Sequence, residues 1–105
     1  MSQFTVYRNP NPATRRRLPL LLDVQADLLA DLATRVVVPL APADRRQAAT
    51  VKRLMPILIV DGERYVMITP QLAGVSRKAL GAAIGDFADR RAEIIAALDF
   101  LLTGI

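Results

Sequence analysis

Along the chain, apolar positions fall into short blocks separated by polar and proline-rich stretches, and their spacing turns from strand-like to helical towards the C-terminal end. Residues Gln3 to Tyr7 alternate polar and apolar around Phe, Thr, Val and Tyr, the pattern of a half-buried first strand. RNPNPATRRR, Arg8 to Arg17, breaks that pattern with two Asn-Pro steps and closes on three arginines, which predicts an exposed loop. LPLLLDVQADLL, Leu18 to Leu29, is compatible with strand or helix; Pro19 and the apolar start favour a strand to about Gln25. In TRVVVPL, Thr34 to Leu40, three consecutive valines prefer a pleated surface, and Pro39 is expected at an edge or a bulge.

Ala41 to Lys52 reads as a polar, alanine-rich link with room for a helical turn. LMPILIVDGERYVMI, Leu54 to Ile68, carries the strongest local signal. Two β-branched and aromatic runs flank Asp61 and Gly62, and Asp-Gly supplies the positive φ angles of a type I′ hairpin turn. From Thr69 onward Pro70, Gly74, Gly81 and Gly85 interrupt any long helix before Asp86, so this part reads as a short irregular segment. DFADRRAEIIAALDFLL then places Ile94, Leu98, Leu101 and Ile105 on one helical face. Asp86 or Asp89 is available to cap that helix, and Gly104 to stop it near Leu102. The order predicts one domain over residues 1–105, mostly β with one C-terminal α-helix, folded as a small antiparallel sheet or partial barrel.

Composition narrows the chemistry. A hydrophobic fraction of 52% with 23% charged residues suits a folded globular chain. Cysteine and histidine are both absent, which removes disulfides, thiolate metal sites and the Ser/His/Asp and Cys/His nucleophile systems. An enzyme is disfavoured and no cofactor is expected. The carboxylates Asp23 with Asp27, and Asp86, Asp89 and Glu93, show no organising pattern and read as capping or solvated groups. No apolar run approaches the roughly 18 residues of a membrane span and no signal segment is evident, so a cytoplasmic protein is expected. The net charge of +4 suits an acidic partner, either nucleic acid or an acidic protein segment.

Taken together, QFTVY at Gln3 to Tyr7, LDVQADLL at Leu22 to Leu29, VVVPLA at Val36 to Ala41, PILIVDGE at Pro56 to Glu63, MIT at Met67 to Thr69 and a final helix ending in Gly-Ile resemble the CcdB toxins of bacterial toxin–antitoxin modules. The resemblance implies an SH3-like barrel of the CcdB/MazF type and a homodimer. It also implies a helix tip that enters the A subunit of DNA gyrase and traps the cleaved-DNA complex, so DNA is reached only through gyrase or an antitoxin complex. A partner antitoxin, CcdA-like with a disordered C-terminal segment, is implied as well.

Carried over position by position, the gyrase-facing residues fall on Leu28, Leu29, Asp99, Leu102, Thr103, Gly104 and Ile105. Gly104 and Ile105 keep the family pattern. Leu28 and Leu29 stand for isoleucines, Asp99 for an asparagine and Leu102 for a phenylalanine. Thr103 stands where the family has a tryptophan whose two copies in the dimer grip an arginine of gyrase. Two aromatic faces lost from such a contact amount to roughly 1–4 kcal/mol, or about tenfold to a thousandfold in affinity. Among the basic clusters, Arg15, Arg16 and Arg17 with Arg45 and Arg46 are the candidates for holding the antitoxin's acidic tail. The rival from another class is an endoribonuclease of the MazF type, in which arginines would have to carry proton transfer and phosphate stabilisation, with Arg35, Arg53 or Arg64 as the candidates. A toxin remnant that binds an antitoxin without poisoning is the third possibility.

Overall fold

The computed structural model describes residues 2–43 and 52–104. Seven short strands form one antiparallel sheet: β1 (Thr5–Arg8), β2 (Leu20–Asp23), β3 (Thr34–Pro42), β4 (Ile57–Val60), β5 (Glu63–Met67), β6 (Ala73–Ser76) and β7 (Ala83–Asp86). The helix α1 (Arg91–Thr103) follows. The sheet runs β4-β5-β3-β2-β1-β7, with β6 added beside β3. It curls until its two end strands approach: Ile59 and Val60 of β4 and Ile84 to Asp86 of β7 line the same cleft of about 190 Å³. This is the expected mostly-β partial barrel with a C-terminal helix.

Alternation of side chains along each strand sorts the sheet into two faces. Val6, Leu20, Leu22, Val38, Leu40, Leu58, Val60 and Met67 point inward, where Ile94 and Ala97 of α1 and Phe87 complete the core. Tyr7, Leu21, Asp23, Arg35, Val37 and Pro39 fall in the intervening positions and are buried as well. Part of that second face is sheltered by the loop after β1. Asn9 pins this loop by donating from Nδ2 to Thr14 Oγ1 (3.0 Å) and to the Leu18 carbonyl (2.8 Å).

The Asp-Gly hairpin forms as expected, with Val60 opposite Glu63 and φ of 51° at Asp61 and 79° at Gly62. β1 starts two residues later than its alternation suggests, because Phe4 has a φ of 70°. That strained conformation is held on both sides: Phe4 N–H donates to the Asp23 carbonyl, and the Phe4 carbonyl accepts from Phe87 N–H.

Pro39 sits at neither an edge nor a bulge. It is in the middle of β3, opposite Leu21 of β2. Its carbonyl accepts from Ile68 N–H at 3.0 Å, on the side away from β2. In a strand the N and O of one residue point the same way, so the missing proline N–H faces the gap where β3 changes partner, from β6 (up to Val37) to β5 (from Leu40).

The segment from Thr69 to Asp86, expected to be irregular, contains β6 and β7. Both are four residues long, carry a glycine and expose most of their side chains, so tertiary pairing with β3 and β1 makes strands that local pattern does not announce. Gly81 sits where β7 approaches β1. A Cβ there would lie 2.7 Å from the Arg8 carbonyl oxygen, which accepts the Gly81 N–H. The possible helical turn between Ala41 and Lys52 falls mainly outside the described residues.

Candidate functional site

Among the described residues, large apolar side chains are exposed at Ile59 of β4 and at two places that hold site residues expected from the sequence. The first follows β2. The chain leaves the sheet at Asp23 and closes a short 3-10 turn over Asp27–Leu29, with Leu29 N–H donating to the Ala26 carbonyl and Ala30 N–H to that of Asp27. Leu28 and Leu29 therefore lie on a turn beyond the end of β2, and both face solvent. Leu28 is 95% exposed, and Leu29 and Leu32 are about half exposed. Three large apolar groups exposed along one short stretch of chain make this turn a candidate contact surface.

What holds this turn is polar and buried. Arg35 donates from Nε (2.9 Å) and Nη2 (2.6 Å) to Asp23 Oδ2, and both side chains are fully buried. The other oxygen, Asp23 Oδ1, accepts from Gln25 N–H at 2.9 Å. The Gln25 side chain then bridges outward: its Oε1 accepts from Val36 N–H at 3.0 Å and its Nε2 donates to the Leu29 carbonyl at 2.7 Å. From the N-terminal side, Gln3 N–H donates to Asp27 Oδ1 at 2.7 Å, and Gln3 Oε1 accepts from Arg91 Nη1 at the start of α1.

The second place is the last turn of α1. The helix is led in by a 3-10 turn, Ala88–Arg90, where Asp86 Oδ1 accepts from Ala88 N–H; Asp89 makes no capping bond. Arg90 donates from Nε and Nη2 to the two oxygens of Glu93 at 2.8 and 2.7 Å. These bonds hold the Glu93 carboxyl below its ordinary value and push the Arg90 guanidinium up.

On the expected apolar face Ile94 is fully buried, and Leu98 and Leu101 are half-buried. At the far end Thr103 Oγ1 donates to the Asp99 carbonyl at 2.7 Å. Gly104, at φ 73°, closes the helix by donating to the Phe100 carbonyl at 2.9 Å. That left-handed conformation disfavours any residue with a Cβ, which is why the helix stops here. Leu102 is 74% exposed, and Asp99 lines an open hollow on the outer face of α1 with Arg91, Ala92, Ile95 and Ala96.

The proposed tip thus presents Asp99, Leu102, Thr103 and Gly104 to solvent; Ile105 lies outside the described residues. The leucine turn is tied through Gln3 to the start of α1, and the tip closes its other end, roughly 20 Å along the axis for 13 residues. Of the basic candidates, Arg15, Arg16 and Arg17 project from the Asn9-pinned loop and are exposed, whereas Arg45 and Arg46 lie outside the described residues.

The arginines of the endoribonuclease rival are not gathered. Arg35 is buried against Asp23, the Arg53 guanidinium stacks 4.6 Å from the Phe100 ring, and Arg64 is exposed on β5 opposite Ile59. Among the described residues no helix is long and apolar enough to cross a membrane.

The Arg35–Asp23–Gln25 chain was not singled out from sequence. The available signal is an Asp and an Arg inside strand-forming apolar runs, since such residues are almost never fully buried unless paired. In comparison with known families, the model described as CcdB protein matches residues 3–104 of the chain.

Proposed function

From the premise that the chain belongs to the CcdB family, the toxins of toxin–antitoxin systems, we propose that it binds the A subunit of DNA gyrase and holds the enzyme on cleaved DNA. The family match over nearly the whole chain carries this reading. The exposed Leu28, Leu29 and Leu102, at the positions where the resemblance puts gyrase contacts, support it.

The mechanism is differential binding. A ligand that fits one conformational state of an enzyme better than the others shifts the equilibrium constant towards that state by up to the ratio of its affinities. Leu28 and Leu29 from one turn, and Asp99, Leu102, Thr103, Gly104 and Ile105 from the helix tip, form the contact. In a homodimer the surface occurs twice about a two-fold axis. With threonine at position 103 the grip on a gyrase arginine is reduced to the aliphatic and polar contacts of the neighbouring residues. An antitoxin with an acidic, disordered segment neutralises the protein in the cytoplasm, drawn by Arg15, Arg16 and Arg17 together with Arg45 and Arg46.

Induced expression in the native host is expected to arrest growth, with relief by co-expressed antitoxin and by Leu102→Asp in the toxin. Growth arrest that persists undiminished in Leu102→Asp and Leu28→Asp variants would overturn the proposal.

A further inference from the structure

We infer that Gln25 is a positioning residue for the gyrase contact, with the buried Arg35–Asp23 pair as its fixed base; this inference rests on the proposed role of Leu28 and Leu29. A fully buried ion pair is a poor device for stability, because desolvation of the two charges offsets most of their attraction. Here one guanidinium nitrogen, Arg35 Nη1, is also buried without a hydrogen-bond partner. What the pair does provide is direction. Two donors from Arg35 converge on one oxygen of the Asp23 carboxylate, Oδ2, which leaves the other, Oδ1, to accept from the backbone N–H of Gln25.

Gln25, itself only 6% exposed, then holds β3 with its amide oxygen and the outward turn with its amide nitrogen. The Leu29 carbonyl is the point of attachment, and it also accepts from Leu32 N–H. The turn has no side-chain cap of its own and no buried residue. Its side-chain anchors are therefore Gln25 from beneath and the Asp27–Gln3 bond from the flank. An exposed turn of this kind presents its leucines in one pose only if its carbonyls are held, and preorganisation of a contact surface raises affinity by lowering the ordering cost on binding.

The test is a double-mutant cycle on the full-length protein, read as affinity for purified gyrase A subunit by calorimetry. Gln25→Met keeps the side chain's length and removes both bonds; Gln25→Glu keeps the acceptor for Val36 N–H and removes the donor to Leu29. Leu28→Ala/Leu29→Ala is expected to weaken binding by tenfold or more. Each Gln25 variant should weaken it about fivefold in the wild-type background and less than twofold when the two leucines are already gone. Amide exchange at Leu29 and Ala30 should quicken in both Gln25 variants while the β3 amides of Val37 and Val38 stay protected, a local effect that general destabilisation would not give.

Equal fivefold losses in both backgrounds would make Gln25 a merely structural residue and overturn the inference. Unchanged affinity in Gln25→Glu with quickened exchange would overturn it as well. If the double-leucine variant binds as tightly as wild type, it is the gyrase-facing assignment of the turn that fails, and the inference fails with it.

Discussion

Replacing Asp23 by leucine leaves the Arg35 guanidinium fully buried with nothing to neutralise it. Breaking a buried pair from one side costs about 3–5 kcal/mol, because the remaining charge keeps its full desolvation penalty. The lost bond from Gln25 N–H adds about 1 kcal/mol more. Arg35→Met strands the carboxylate in the same way. A domain of this size has about 5–15 kcal/mol in total, so either single variant consumes a large share of it.

The double variant Asp23→Leu/Arg35→Met removes both charges and the unpartnered Arg35 Nη1, and keeps similar side-chain volume. It should return to within about 1–2 kcal/mol of wild type. Urea denaturation of the four proteins at one fixed protein concentration measures this, with a coupling energy of at least about 3 kcal/mol expected from the cycle. Thermal melting should show the singles at least about 12 °C below wild type, taking about 4 °C per kcal/mol. If the singles lie within 1 kcal/mol of wild type, or if the double variant is as unstable as the sum of the singles, the burial argument is refuted.

Other outcomes follow from the same geometry. Thr103→Trp should restore an aromatic face at the tip and raise gyrase A affinity about tenfold to a thousandfold, with stability changed by less than about 0.5 kcal/mol because the site is exposed; calorimetry and melting check the two parts. Gly104→Ala should cost about 1 kcal/mol, since φ is 73° and a Cβ there meets no neighbour but is strained by the backbone itself, and amide exchange should quicken in the last turn of α1. Gly81→Ala should cost about 1–3 kcal/mol by pushing the Arg8 carbonyl out of the β1–β7 pairing, seen in melting curves. Glu93→Gln should cost only about 0.3–0.5 kcal/mol at neutral pH, the side chains of the pair being a third and a half exposed. Because folding lowers the Glu93 pKa, that contribution is complete above the ordinary carboxylate value and is lost as pH falls through the folded value; urea midpoints of the two proteins should converge in acid.

The hairpin and the helix end were legible because their signals are local: Asp61-Gly62 can hardly be other than a tight turn, and Gly104 after an apolar stripe marks a stop. β6 and β7 were not legible, because AGVS and AIGD become strands through the neighbours they pair with and not through their own pattern. Pro39 misled for a related reason. A proline is excluded from a central strand only where its missing N–H faces a paired neighbour, and β3 changes partner at that point.

In the site, the positions of Leu28 and Leu29 followed from the resemblance, but their exposure on a turn did not, since two leucines beyond the expected end of a strand carry no local signal for a 3-10 turn. The buried relay through Asp23, Gln25 and Arg35 spans 12 residues of sequence. Its members are brought together by the β2–β3 pairing, which sets Asp23 opposite Val37 with Arg35 two residues further along the same face.

The central claim is that the protein holds gyrase on broken DNA, and a cleavage assay tests it most directly. Purified full-length protein is incubated with the gyrase of its own host, ATP and supercoiled plasmid, and the products are digested with protease before electrophoresis. Linear plasmid that increases with protein concentration, and is greatly reduced with Leu102→Asp, is the expected result. Supercoiling-competent gyrase that yields no linear DNA with folded protein in large excess would contradict the claim.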